Sequence, residues 1–194
     1  MKKSSLTNRN YFFTSQRLGF RKFHLGDSDN FYSMNSNEEV MKYFPSLLTK
    51  DQSDSLLDRI NTHIDENEFG FFAVDHLDTS TFIGFIGLKR TNFEADFTPC
   101  VEIGWRLIPD FWNQGLATEG ASRCLEFAFS KLGLDTIYSF TPIINKPSER
   151  VMQKIGMIKD GEFEHPLVKQ DHRLKIHSLY KISKQKHMDG IKVL

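Results

Sequence analysis

Cysteine is scarce: two copies, Cys100 and Cys124, in a chain of 194 residues. Neither lies in a Cys-x-x-Cys pair or at Cys/His ligand spacing, which argues against a disulfide scaffold and a zinc centre and for a reducing, cytoplasmic setting. An excess of one charge is also missing. Lys+Arg number 25 and Asp+Glu 25, so the net charge is +0 and bulk electrostatics recruit neither nucleic acid nor an anionic membrane. Long apolar runs are absent too. The longest, FIGFIGL at Phe82–Leu88, is far short of the roughly 20 residues a spanning helix needs. The start, MKKSSLTNRNYFFT, has no apolar stretch suited to a signal peptide.

No repeat, low-complexity tract or Pro/Gly/Ser-rich linker divides the chain. A single domain over residues 10–184 is therefore expected, with 1–9 and 185–194 as flexible tails. The usual nucleotide fingerprints, G-x-x-x-x-G-K-[ST] and G-x-G-x-x-G, are missing as well. What the chain does have is 39% hydrophobic and 26% charged residues, ordinary for a globule able to bury a core.

Periodicity sets out the elements. RLGFRKF (Arg17–Phe23) alternates like a strand. GDSDNFYSMNSNEEVMKYF has Asp and Ser as caps and Phe31, Met34 and Met41 near helical spacing. KDQSDSLLDRINTHIDEN places Leu56, Leu57, Ile60 and Ile64 on one helical stripe. FGFFAVDH and STFIGFIGLKR read as two strands joined by a turn. In VEIGWRLI, Val101, Ile103, Trp105 and Leu107 share one face and Glu102, Gly104 and Arg106 the other. A helix follows, with Ala117, Ala121, Cys124, Leu125, Ala128 and Leu132 at three- and four-residue steps and Gly133 at its stop. DTIYSFTPI reads as a strand, and NKPSERVMQKIG as a helix capped by Asn145 with Pro147 in its first turn. GEFEHPLVKQDHRLKIHSLYKIS holds two last strands. This order predicts an α/β domain with a mixed sheet rather than a doubly wound one.

The junction FWNQGLATEG, between strand and helix, is unusually bare. A helix that starts straight after a strand presents first-turn N–H groups without intrahelical partners, and its dipole adds positive charge there. Gly115 permits close approach, Ala117 leaves the entrance open, and Thr118 offers a hydroxyl. The spot suits a phosphate; the plain alternative is a corner that binds water.

Strand, WNQGLA, helix, strand and an N-x-x-S helix together resemble the GNAT superfamily of N-acetyltransferases. In that family a Q/R-x-x-G-x-G/A turn wraps the pyrophosphate of acetyl-coenzyme A with backbone amides. Here Trp112 stands where Gln or Arg is usual, a replacement common in the branch related to bacterial enzymes that acetylate ribosomal-protein N-termini. TSQRLGFRKF, EEVMKYF, VEIGWRL, GLATEGA and NKPSERVMQKIGM also resemble that branch, over about Thr14 to Ser183.

The resemblance implies a single-domain, mostly antiparallel mixed sheet flanked by helices and splayed between its fourth and fifth strands. It implies direct attack of a primary amine on the thioester of acetyl-coenzyme A, with no metal; the acceptor would be a protein N-terminus, a small amine or an amino-acid derivative. The cofactor arm would pair with backbone near Trp105–Ile108, and contacts are expected from Leu107, Ile108, Asn113, Gln114, Gly115, Leu116, Ala117, Thr118, Asn145 and Ser148. Glu102 is the expected base, the alternative being a solvated strand glutamate or a partner of Arg106. An N–H near Arg106 or Leu107 would hold the oxyanion, and Ser148 would protonate the leaving thiolate. Met152 occupies the position where many relatives carry a tyrosine acid, which leaves Tyr138 or another tyrosine as an alternative. It also gives some weight to a non-catalytic coenzyme-binding domain.

Lesser features complete the reading. Arg150 and Lys154 could reach a ribose phosphate. Some of Phe69, Phe71, Phe72, Phe93 and Phe97 could line an acceptor groove, or a phenylalanine-rich surface could meet a protein. His165 and His172 lie near the last strands without metal spacing. A homodimer is the working expectation for assembly.

Overall fold

The computed structural model describes residues 10–191. The elements run β1 (Phe13–Thr14), β2 (Leu18–Arg21), α1 (Ser28–Asn35), α2 (Lys50–Asn67), β3 (Phe71–His76), β4 (Thr81–Thr91), β5 (Cys100–Leu107), α3 (Leu116–Ser130), β6 (Thr136–Pro142), α4 (Lys146–Lys154), β7 (Ile158–Glu164), β8 (Ile176–Ser183) and α5 (Lys184–Ile191). The strands form one eight-stranded sheet in the order β1-β2-β3-β4-β5-β6-β8-β7. Every neighbouring pair is antiparallel except β5–β6, which is parallel.

That parallel pair is held by a single register match, Glu102↔Tyr138. Ser139 Oγ donates to the Ile103 carbonyl at 2.9 Å, so a side chain serves one of the main-chain groups the missing ladder leaves over. Past this point the two strands part and a cleft opens. Counted without the two-residue β1, these are the fourth and fifth strands, so the mixed sheet and its splay match the expectation.

Both faces of the sheet are covered. α3 packs on the face that carries Leu18, Phe20 and Ile86. Gly120 makes that approach possible, because a Cβ there would lie 2.3 Å from Ile86 Cδ1. The small and apolar side chains Ala121, Cys124, Leu125 and Ala128 are fully buried beneath α3, as the helical spacing predicts. α1 and α2 cover the opposite face, where Phe31 meets Phe85 at 6.2 Å between ring centroids. Thr49 and Gln52 cap the start of α2 reciprocally, satisfying two otherwise orphaned donors. Leu57, Ile60 and Ile64 of its stripe are buried, while Leu56 packs at the margin.

Several boundaries differ from the sequence reading. The helix expected over residues 26–44 stops at Asn35, and turns follow. Asn37 Oδ1 accepts from Glu39 N and Val40 N at 2.9 and 3.1 Å, a local side-chain competitor for helical bonding. β1 adds a strand, and α5 lies in the stretch expected as a tail; the expected tail at 1–9 lies outside the described residues. Among the described residues no helix is long and apolar enough to cross a membrane.

Candidate active site

The cleft beside β5 has a volume of about 940 Å³ and is lined from Glu102 at one end to Gly115–Thr118 at the other. Its walls follow from strand geometry. Ile108 N donates to Ile83 O on β4 at 3.0 Å, and hydrogen-bonding direction alternates along a strand. The N–H groups of Arg106 and Gly104 therefore face β4, while those of Trp105 and Leu107 face the gap toward β6. Of the two amides expected near an oxyanion, Leu107 is the one directed into the cleft. The Ile108 amide is engaged by β4, and Ile108 does not line the cleft.

The bare junction leaves its helix amides unpaired. Asn113 and Gly115 both take left-handed backbone, at φ 58° and 79°, and turn the chain sharply into α3. The first intrahelical bond runs from Glu119 N to Gly115 O at 2.9 Å, so the amides of Leu116, Ala117 and Thr118 have no partner within the helix. Leu116 is buried in the core and offers only that amide. Asn113, Gly115, Leu116, Ala117 and Thr118 all line the cleft; Gln114 does not, since its Nε2 donates to Asp110 O at 2.8 Å. Trp112 explains its own presence: its indole Nε1 donates to Leu107 O at 2.7 Å, tying the turn to the end of β5.

The sequence reading missed Arg17. Its Nη1 donates to Gln114 O at 3.1 Å and its Nε to Glu119 Oε2 at 2.7 Å, bracing the turn from a distant segment. Nothing in local spacing signals this contact. Arg150 and Lys154 of α4 line the same cleft, and their charge suits the phosphates of a coenzyme.

Glu102 stands on the α1/α2 side of β5 with its side chain 13% exposed. Burial pushes its carboxyl pKa above the ordinary range, against the pull of the Lys89 charge. Lys89 Nζ lies 3.6 Å from Oε1, so Glu102 pairs with Lys89 rather than Arg106, and it is not a fully solvated glutamate. Across the gap Asn145 caps α4: its Oδ1 accepts from Ser148 N at 3.4 Å, and its Nδ2 donates to Thr141 Oγ1 at 2.8 Å and to Ser148 Oγ at 3.0 Å. A hydroxyl that accepts keeps its own proton for another acceptor. Asn145 and Ser148 both line the cleft.

The remaining candidates divide between the cleft and its surroundings. Met152 is buried and brings no hydroxyl. Tyr138 stacks on Phe97 at 5.7 Å and does not line the cleft; among the described residues Tyr43 is the tyrosine that does. Of the five phenylalanines expected near a groove, Phe71 lines it. Phe69 and Phe72 are core, and Phe93 and Phe97 pack with Phe140 and Phe163. His165 and His177 both line the cleft and pack on each other at 4.8 Å between ring centroids, while His172 accepts from Leu174 N. Among the described residues no group of three or more His, Cys, Asp or Glu is placed to hold a metal ion.

Comparison with known proteins agrees with this geometry. Residues 17–158 match the acetyltransferase (GNAT) domain. The chain is 32% identical over 152 residues to the uncharacterized N-acetyltransferase YnaD of Bacillus subtilis, covering 78% of this chain and 85% of that one. A GNAT-family acetyltransferase of Bacillus anthracis superposes with a TM-score of 0.74 at 26% identity, covering 89% of this chain and 98% of that one. The spermidine N-acetyltransferase of Vibrio cholerae, solved with CoA and spermine, shares the fold with a TM-score of 0.71 at 22% identity, over 89% and 98%. With motif order, splayed sheet and sequence kinship in agreement, the chain belongs to the GNAT acetyltransferase family and is an N-acetyltransferase.

Proposed function

We propose that this enzyme transfers the acetyl group of acetyl-coenzyme A to a small primary amine, with Glu102 as base and Ser148 as acid. The observation that carries the reading is one continuous cleft with a buried carboxylate at one end and unpaired helix amides at the other. Acetyl-coenzyme A supplies an activated acetyl thioester. The amides of Leu116, Ala117 and Thr118, with Arg150 and Lys154, hold its phosphates, and the edge of β5 pairs with its arm as an added strand would.

The chemistry of the side chains follows. Glu102, directly or through a water, takes a proton from the acceptor ammonium, leaving a neutral amine. The amine nitrogen bonds to the acetyl carbon while the Leu107 amide donates to the carbonyl oxygen. The carbon–sulfur bond breaks as Ser148 Oγ passes its proton to sulfur. The second proton of the attacking nitrogen returns to that oxygen, directly or through water, giving a neutral amide, a free thiol and a restored hydroxyl that Asn145 holds in place. A raised pKa suits Glu102 to the task, because a base works best when its pKa approaches the working pH.

A small acceptor is favoured over a protein N-terminus because Phe44 and Pro45 on one side and Leu167, Val168 and Leu174 on the other also line the cleft. A threaded polypeptide would have to pass between them. A spermidine acetyltransferase among proteins of the same fold is in line with a small amine. Both cysteines are free, which fits a reducing cytoplasm.

The test follows free thiol release from acetyl-coenzyme A against a panel of small amines and peptide N-termini. Glu102→Gln is expected to lower kcat/KM by roughly 10²- to 10⁴-fold, with the loss greatest where Glu102 is ionised while the amine is still protonated, and shrinking in acid as Glu102 itself takes up a proton. An unchanged rate across pH would remove Glu102 as base, and acetylation of peptides alone would overturn the small-amine reading.

A further inference from the structure

Charges withdrawn from water in folded proteins are paired. Arg106 breaks that pattern. Its Nη1 donates to Asn35 Oδ1, a neutral acceptor, at 2.5 Å. Its Nε is sealed from solvent without a hydrogen-bond partner among the described residues. Arg106 is part-buried, and no carboxylate there offsets the water it has lost, which draws the guanidinium pKa down to about 9. The Phe44 ring lies over it at 3.9 Å and Phe85 at 5.2 Å, two apolar screens that strengthen any charge–charge contact made there.

The position is telling. Arg106 lines the cleft on the same face of β5 as Glu102, four residues along, or roughly 13 Å between Cα atoms. Gly104, between them, adds no side chain. Side chains on a strand face stand roughly perpendicular to it, so the two heads keep about that separation, a span that a molecule of amino-acid size covers with a water relayed to Glu102. Nε is sealed and Asn35 takes one Nη1 hydrogen, so the reachable donors are the other Nη1 hydrogen and Nη2, an end-on planar fork that matches a carboxylate. Nearby Lys42 and Lys89 also line the cleft, and neither favours a polycationic acceptor.

We infer that Arg106 is a specificity residue whose missing counter-ion is the acceptor's own carboxylate, so that the substrate class is amines of the α-amino-acid type rather than polyamines. The inference rests on the small-amine reading above and narrows it. With a carboxylate on Arg106, the α-amino group points along β5 toward Glu102, and the product is an N-acetyl amino acid.

The experiment compares acceptors that differ only in the carboxylate: phenylalanine against phenethylamine, leucine against isopentylamine, with spermidine alongside. Rates are corrected for the fraction of free amine. In the wild type, kcat/KM is expected to favour each carboxylated member by roughly 10- to 100-fold. Arg106→Met should bring that ratio close to one, and Arg106→Lys should restore part of it. Equal rates for both members, a preference for spermidine, or a ratio unmoved by Arg106→Met would overturn the inference while leaving the small-amine reading intact. Acetylation of peptide N-termini alone would overturn both. If no tested acceptor turns over, calorimetry on the CoA-loaded protein decides. N-acetylphenylalanine should bind the wild type and fail to bind Arg106→Met, and no binding to either would overturn the inference.

Discussion

Two arginines show how differently one residue type is used in this protein. Arg21 is buried and fully matched, its guanidinium meeting Asp27 at 2.6 Å and Asp75 at 2.8 Å. Arg21→Met would remove the buried cation that Asp27 and Asp75 share, so a loss of about 3–5 kcal/mol is expected in urea unfolding. Under the proposed mechanism Lys89 acts on chemistry instead. Its charge favours the ionised form of Glu102, against burial, so Lys89→Met should raise the Glu102 pKa further. The acid limb of the kcat/KM profile then moves to higher pH; a limb that stays put would show that Glu102 does not set it. At this scale the sequence was informative wherever a motif carried the residue. Glu102, Asn145 and Ser148 stand in short recognisable segments. Arg106 was visible as a strand residue, yet its meaning depends on Asn35 and Phe44, which only the fold brings to it.

Among the elements, the turn into α3 is the most dependent on distant support. Glu119, in the first turn, accepts from Ser15 Oγ, Arg17 N and Arg17 Nε, each at 2.7 Å. Burial raises its pKa, but these bonds lower it more, and the net shift is downward. A depressed carboxylate contributes stability that is complete above its unfolded pKa, near 4.5, and is lost as pH falls through the lower folded value. Glu119→Gln should therefore melt below the wild type at neutral pH, with the two curves converging in acid. A constant gap across pH would contradict this. Periodicity found α2, α3 and α4 because their apolar stripes are long or their caps distinct. It overran α1, since Phe31, Met34 and Met41 keep helical spacing while the Asn35-Ser36-Asn37 segment diverts the backbone. β1 was too short to leave a pattern.

Over the whole molecule, histidine titration should tilt the stability curve. His63, His165, His177 and His187 all have lowered pKa values because burial disfavours the charged ring, with His177 falling to about 4. The unfolded chain, with histidines near 6.5, takes up protons first. Stability from this source is therefore whole above pH 6.5 and declines as pH falls toward about 4. A melting series over that window should show the slope, and His177→Phe, within its aromatic cluster, should flatten it. Fold class was legible from the alternation of strand and helix patterns. The order β6-β8-β7 was not, because pairing partners of antiparallel strands leave no mark in local periodicity.

The lone rung between β5 and β6 has a mechanical consequence. Five strands on one side and three on the other share a single main-chain bridge, and elsewhere they meet across a slot shaped for a coenzyme. On the proposed reading, the coenzyme arm takes the place of the strand that is absent from the slot, so the donor molecule would be at once reactant and keystone, joining two halves of the sheet that a single rung otherwise connects.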